Sequence, residues 1–343
     1  MVAGMKVDFY LAPTSVLHDV PEAAAGAATL GYDGFFTAET SHDPFLPLVL
    51  ANRAAPNLDL GTGIAVAFPR SPTIIAQTTW DLAALSGGRF ILGLGTQVKG
   101  HIVRRFGGEW LPPGPRMRDY LLALRAIFHS WQDGTQLSHD GEYYKLSLMT
   151  PFFNPGPIEH PDVPIAIAGV GPYMSRLAGE LCQGFHVHPF HTVRYLDEVV
   201  LPNIAKGAAG AGRSLDDVQR ITTVFVVTGR TQSEMEQAME PVRSQIAFYA
   251  STPNYAGILD LHGWPFGEQL GALSRRGKWD EMAQLIPDEV VGEVAVVAPL
   301  DQLGQAISTR YGDRVQRVGY YALENDRGWS DEEWTALVAA TRA

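Results

Sequence analysis

Short apolar runs alternate along the chain with longer stretches whose apolar positions recur every three or four residues. The short runs suit strands buried on both faces, and the long ones suit amphipathic helices laid over them. Their alternation is the pattern of βα units around a parallel sheet. Strands are expected at Lys6–Ala12, Gly34–Ala38, Asp59–Val66, Phe90–Gly95, Pro164–Ala168, Gly184–Val187, Ile221–Thr228 and Gln316–Leu323. Helices are expected at Val20–Gly31, Pro44–Arg53, Pro72–Leu85, Pro115–Trp131, Pro172–Leu181, Thr192–Ala205, Gln232–Tyr249 and Asp331–Thr341. Three of these have readable starts: Asp43 before Pro44, Ser71 before Pro72, and Ser330 before Asp331-Glu332-Glu333. Eight strand–helix units fill a barrel, whereas an open doubly wound sheet usually stops at about five to seven strands. The expected fold is a (β/α)8 TIM barrel, one domain over residues 1–343, with insertions in the βα loops at about 132–163 and 250–298. Long insertions in such a fold are usually lids or binding loops.

Composition narrows the classes. With 46% hydrophobic and 18% charged residues, the 343-residue chain can bury a large core. No apolar run is long enough to span a bilayer, and Met1–Asp8 carries no apolar stretch behind a basic start, so neither a membrane anchor nor a signal peptide is expected. Cys182 is the only cysteine, which excludes an internal disulfide and fits a cytoplasmic setting. A net charge of −11 with mixed signs argues against nucleic acid or an anionic membrane as partner and leaves a small molecule.

In a barrel of this kind the active site lies where strands end and βα loops begin. Strand two exits through Glu39, Thr40, Ser41, His42 and Asp43. Asp43 reads as a helix cap, while Glu39 and His42 sit where a carboxylate and an imidazole can orient a ring or move a proton. Strand three carries Gly61 and Gly63, which mark either close approach by a ligand or barrel packing. Strand four ends in Gly93-Leu94-Gly95-Thr96, placing bare backbone and a hydroxyl at the mouth. After strand five, Ala168-Gly169-Val170-Gly171-Pro172 runs straight into a helix, so free N–H groups and the positive end of the helix dipole can receive a phosphate.

Other motifs are weaker. The turn at Gly169 begins like a dinucleotide fingerprint, but Met174 stands at the third glycine and His186-Val187-His188 replaces the acid after the next strand. His186 and His188 could hold zinc, yet no matching ligand set appears at other strand ends, so no metal is expected. His188 and His191 are instead assigned to the substrate pocket. The run Gly207-Ala208-Ala209-Gly210-Ala211-Gly212-Arg213-Ser214 imitates a P-loop but follows a helix and lacks the lysine. It reads as a helix end and turn, with Ser214 capping what begins at Leu215.

Gly31-Tyr32-Asp33-Gly34-Phe35-Phe36, Ser86-Gly87-Gly88-Arg89-Phe90 followed by Gly93-Leu94-Gly95, and Ala168–Pro172 together resemble the bacterial luciferase-like superfamily, within it the branch dependent on the deazaflavin coenzyme F420. The resemblance runs from Lys6 to Leu323. It implies an F420-dependent oxidoreductase that transfers a hydride to or from a small organic substrate, with FMN-dependent monooxygenation as the alternative. A barrel that only stores a ligand is the third possibility. The resemblance also implies a non-prolyl cis peptide at Gly63-Ile64 behind the ring, ring contacts at Thr96 and Gln97, and phosphate contacts along Ala168, Gly169, Val170, Gly171 and Pro172. It puts His42 near the reactive face of the ring, with Glu39 as its partner or as a ring contact, and it implies a homo-oligomer, often a dimer. Sugar-phosphate dehydrogenases of the family have an acid shortly after the strand-four Gly-Thr. Here Gln97-Val98-Lys99-Gly100-His101 has none, so oxidation of a sugar phosphate is not expected. Tyr255, His262, Trp264 and Phe266 in the second insertion point either to a less polar or larger substrate, with Trp264 assigned to bind it, or to packing on the barrel or a partner subunit.

Overall fold

The computed structural model describes residues 4–321 and 328–343. Its strands are β1 (Lys6–Tyr10), β2 (Gly34–Thr37), β3 (Asp59–Thr62), β4 (Phe90–Gly95), β5 (Ile165–Gly169), β6 (Gly184–Val187), β7 (Gln219–Val227) and β8 (Arg317–Tyr321). Each pairs in parallel with its neighbours, and β1 pairs with both β2 and β8, which closes an eight-stranded barrel. Leu60, Leu92, Leu94, Ile167, Phe185 and Val224 are fully buried, as strands covered on both faces require. The surrounding helices are α1 (Val20–Thr29), α2 (Leu46–Ala54), α3 (Pro72–Ser86), α4 (Pro113–Asp133), α5 (Pro172–Leu181), α6 (Leu201–Gly210), α7 (Gln232–Ala250), α8 (Leu300–Tyr311) and α9 (Asp331–Arg342).

The chain's punctuation accounts for several boundaries. Ser71 Oγ accepts from Ile74 N at 3.3 Å to open α3, and Gly87 closes it at φ 62°, a left-handed conformation that suits glycine. Ser330 and Glu333 form a reciprocal capping box at the start of α9. Asp43 Oδ1 accepts from Phe45 N and Leu46 N, so a turn precedes α2, which begins at Leu46 and not at Pro44. The expected helix Thr192–Ala205 is three pieces, Val193–Tyr195, a π-helical turn at Leu196–Val200, and α6. Beyond Tyr321, Ala322 and Leu323 of the eighth expected strand lie outside the described residues. Leu215–Asp217 is a single 3-10 turn in which the Asp217 carboxylate accepts from Ser214 N and Oγ, so the acid caps the serine. Gly207 serves helix packing: a Cβ there would lie 1.9 Å from the Arg176 carbonyl of α5.

The barrel floor is ionic. Arg317 Nε donates to Asp8 at 2.8 Å and Nη1 to Asp59 at 2.7 Å, while Lys6 Nζ reaches Asp59 at 2.7 Å. Burial opposes the Arg317 charge, but Asp8 and Asp59 outweigh it and hold the guanidinium protonated beyond its usual range. Gly34 leaves the space for this pair, since a Cβ would come within 2.5 Å of both side chains.

The first insertion holds an antiparallel hairpin of His139–Asp140 and Lys145–Leu146. Asp119 on α4 pins it, accepting from Tyr143 N at 2.6 Å and Tyr144 N at 2.9 Å and meeting His139 Nε2 at 2.7 Å. The second insertion packs short helices at Ala256–His262, Gly267–Arg275, Trp279–Ala283 and Asp288–Val294 before Val296–Val297 joins the end of β7. Among the described residues no helix is long and apolar enough to cross a membrane.

Candidate functional site at the barrel mouth

The carboxyl ends of the strands divide into two arcs. Along β3, β4 and β5 the backbone is close to the surface of the mouth. After Thr62 the chain passes through a cis Gly63-Ile64 peptide, as the resemblance implied, and resumes at Ala65–Val66, which pairs with Leu94 and Gly95 of β4. The Ile64 side chain lies over Gly95, where a Cβ would be 2.6 Å from it. Gly61 and Gly63 make room for protein: added Cβ atoms would fall 2.1 Å from the Phe36 ring and 2.8 Å from the Tyr10 ring. Tyr10 and Phe36 stack at 5.3 Å behind them.

At the exit of β4, Thr96 Oγ1 donates to the Gln97 carbonyl at 3.2 Å, and Gln97 Oε1 accepts from Val98 N at 3.0 Å. Gln97 has φ 56°, a left-handed conformation uncommon for a residue with a side chain. At the exit of β5, Gly171 is the N-cap of α5 and supplies no side-chain acceptor, so the N–H groups of the first turn have no cap. A Cβ at Gly171 would meet nothing within 4 Å, whereas one at Gly169 would strike Met174 at 2.3 Å. Gly169 thus serves the strand-to-helix packing, and Gly171 borders open space. Ala168, Gly169, Val170 and Gly171 are half-buried and Pro172 is exposed.

The opposite arc, at β6, β7 and β8, is aromatic. His188 Nδ1 accepts from Phe190 N at 3.1 Å, its Nε2 meets Tyr255 Oη at 2.9 Å, and the rings of Tyr249 and Tyr255 lie 4.6 and 4.7 Å away. Tyr249 and Tyr321 share a hydroxyl–hydroxyl bond of 2.6 Å. Burial lowers His188 to about 3, with His191 adding to it, so the imidazole is neutral at physiological pH. Tyr255, by contrast, keeps its proton, because burial and then nearby Tyr321 raise it.

His191 and Trp264, the other two side chains assigned to the substrate pocket, are each held by protein partners. His191 is only 1% exposed, because the chain folds back at Pro189: Nδ1 bonds the His188 carbonyl at 2.8 Å, and the ring packs edge-on against Tyr311 at 5.6 Å. It lies beneath the mouth, where burial lowers it to about 4. Trp264 is spoken for by stacking on His262 at 4.3 Å and Phe266 at 6.0 Å, while His262 Nε2 meets Thr192 Oγ1 at 2.8 Å. This stack ties the second insertion to the β6 exit.

At the β2 exit, Glu39 and His42 are not paired. Glu39 Oε2 accepts from Val66 N and Arg70 Nη1, both at 2.7 Å, and Arg70 also reaches Asp43 at 3.2 Å. Burial opposes the Arg70 charge, but Glu39 and Asp43 more than offset it and keep the guanidinium protonated above its usual range. His42 is exposed and lines a cavity with Leu11, Val16, Thr37, Thr40 and Asp43 between the exits of β1 and β2. His186 points into the barrel beside Gly93 and edge-on to Phe36 at 6.2 Å, and burial lowers it to about 4. Among the described residues no three metal-ligating side chains gather.

Arg70, Tyr249 and Tyr321 were missed from sequence. Tyr321 could have been found, since it ends β8 and every strand end borders the mouth. Arg70 stands at the exit of β3 in Pro69-Arg70-Ser71, but nothing local reveals that it holds Glu39.

The chain is similar to several known proteins. An uncharacterised protein of Mycobacterium tuberculosis is 45% identical over 308 residues, covering 89% of this chain and 91% of its own. A 5,10-methylenetetrahydromethanopterin reductase of Archaeoglobus fulgidus is 28% identical over 258 residues, 73% of each chain. The solved structure of the coenzyme F420-dependent tetrahydromethanopterin reductase of Methanopyrus kandleri matches with a TM-score of 0.78 over 99% of both chains at 20% identity, a likeness of fold. Residues 3–317 match the luciferase-like monooxygenase family, and the chain belongs to it.

Proposed function

We propose that this protein is an F420-dependent oxidoreductase that transfers a hydride between the coenzyme and a small organic substrate. The observation that carries the reading is the arc over β3, β4 and β5, which ends at the uncapped N-terminus of α5 beside Gly171. The fit to the cofactor is one of donor chemistry. Uncapped N–H groups and the helix dipole suit a phosphate, and Ile64 over Gly95 offers an apolar platform for a flat ring. F420 relatives such as the Methanopyrus kandleri reductase support this choice. Ala168, Gly169, Val170, Gly171 and Pro172 would hold the phosphate, and Ile64, Thr96 and Gln97 would border the ring. When bound, F420 supplies two-electron hydride chemistry at its deazaflavin ring.

The chain's own residues then orient the ring and handle protons. His42 is the proposed proton carrier, since it is an exposed imidazole at the mouth. Glu39 would act through position: its bonds to Val66 N and Arg70 anchor the segment just beyond Gly63-Ile64. A homodimer belongs to the same reading.

The test is binding. Titration of the purified protein with F420 and with FMN, followed by fluorescence quenching, should show saturable binding of F420 and weaker binding of FMN. Tight FMN binding with no F420 binding would replace this proposal with an FMN-dependent monooxygenase. Histidine at 42 is tested separately: His42→Ala should bind F420 nearly normally while turnover falls by about 100-fold or more.

A further inference from the structure

The aromatic arc contains a hydrogen atom without an acceptor. His188 Nδ1 receives the backbone N–H of Phe190, so in the neutral ring the single hydrogen must sit on Nε2. Nε2–H then donates to Tyr255 Oη, which makes the phenol oxygen the acceptor of that 2.9 Å bond. The phenol's own O–H is left to point elsewhere, and no second hydrogen-bond partner for Oη occurs among the described residues. Tyr255 cannot rotate freely to lose this direction, because its ring is packed edge-on to Phe190 at 5.6 Å and against Tyr249 at 5.8 Å. His188 follows directly on β6, and Tyr321 ends β8, so the group lies on the barrel mouth across from the arc of β3, β4 and β5.

We propose that Tyr255, oriented by His188, is a specificity-determining hydrogen-bond donor, and that the substrate presents a carbonyl-type acceptor to it. This deepens the F420 reading and rests on it. Burial keeps Tyr255 protonated and His188 neutral, so the pair donates without changing charge across the physiological range. His188 is a positioning residue, because its bond to Tyr255 fixes where the phenol hydrogen can go. Tyr249 and Tyr321 are joined to each other by their hydroxyls, and the rings packed on Tyr255 are apolar at its sides, so the Tyr255 donor suits one acceptor on an otherwise apolar substrate.

The test uses acetophenone, with its carbonyl carbon 13C-labelled, and α-methylstyrene, which replaces the carbonyl oxygen by a methylene of similar shape. Both are titrated into wild-type protein and Tyr255→Phe by NMR, with F420 present. In the variant, acetophenone affinity should fall about fivefold and its bound carbonyl signal should move upfield, while α-methylstyrene binding stays the same. Histidine 15N spectra of the wild type should show a bare Nδ1 and a protonated Nε2 for His188. Equal loss of both probes would reduce Tyr255 to packing, and no change, or no binding of either probe by the wild type, would overturn the carbonyl assignment. F420 quenching run on the same samples separates the two levels. Wild type that fails to bind F420 defeats the cofactor reading, whereas normal F420 binding without discrimination between the probes defeats only the role of Tyr255.

Discussion

The two arcs of the mouth solve different problems with different residues. Over β3, β4 and β5 the chain keeps side chains small so that backbone and helix N-terminus face the opening, and each close contact is with another part of the protein. Over β6, β7 and β8 it does the opposite, filling the rim with His188, Tyr249, Tyr255 and Tyr321 and satisfying most of their polar atoms with one another. One arc is suited to a cofactor that is the same in every turnover. The other is made of side chains, which can change with the substrate while the barrel stays intact.

Acidity should have the largest effect, acting through the three histidines on and just after β6 that burial desolvates. His186, His188 and His191 are lowered to about 4, 3 and 4, whereas an unfolded histidine titrates near 6.5. The unfolded chain therefore binds more protons below pH 6.5, and stability is fully present above that value and is lost as pH falls toward 4. Between pH 7 and pH 5 each should contribute about 2 kcal/mol, on the order of 5 kcal/mol together. Denaturant melts at the two pH values check this. His188→Asn should flatten the dependence by about a third, and a variant as acid-sensitive as wild type would place the effect elsewhere.

Within the small-residue arc, two glycines should behave in opposite ways. Gly93→Ala puts a Cβ 1.7 Å from the Thr62 carbonyl oxygen, which is backbone and cannot swing aside, so a stability loss of about 3 kcal/mol is expected in urea melts. Gly171→Asp has open space and an extended backbone, with φ −90° and ψ 170°, and its carboxylate would cap α5 itself. Stability should hold or rise slightly, while F420 affinity falls on the order of 100-fold as the phosphate meets an anion on occupied N–H groups. Undiminished F420 binding would remove the α5 terminus from the account.

Much of this was legible in the chain and part was not, for physical reasons. The eight strands stood out because burial on both faces leaves an apolar run, and Ser71, Ser330 and Gly169–Pro172 announce helix starts within a few residues. Helix α8, not among the expected helices, carries the same signal, since Leu300, Leu303, Ile307 and Tyr311 fall on one face. Partners far apart were not visible. Glu39 and Arg70 are 31 residues apart, and Tyr249 and Tyr321 are 72 apart, so only the closed barrel joins them. His191 follows β6 closely in sequence, but its burial against Tyr311 is set by the reversal at Pro189, which only the folded chain shows.

The smallest effect concerns the aromatic rim. Tyr321→Phe removes the 2.6 Å bond to Tyr249 but keeps the ring against Phe225, and should cost about 1 kcal/mol with F420 affinity unchanged. A marked loss of F420 binding in that variant would mean that the cofactor reaches the aromatic arc and that the division between the arcs is wrong.

The central claim, that the β3–β5 arc holds F420, is tested most directly by a crystal structure of the protein with the coenzyme. The account predicts the phosphate on the N–H groups at Gly171 and the first turn of α5, with the ring lying against Gly63-Ile64. A phosphate bound away from α5, or a ring lying along Tyr249 and Tyr321, would contradict it.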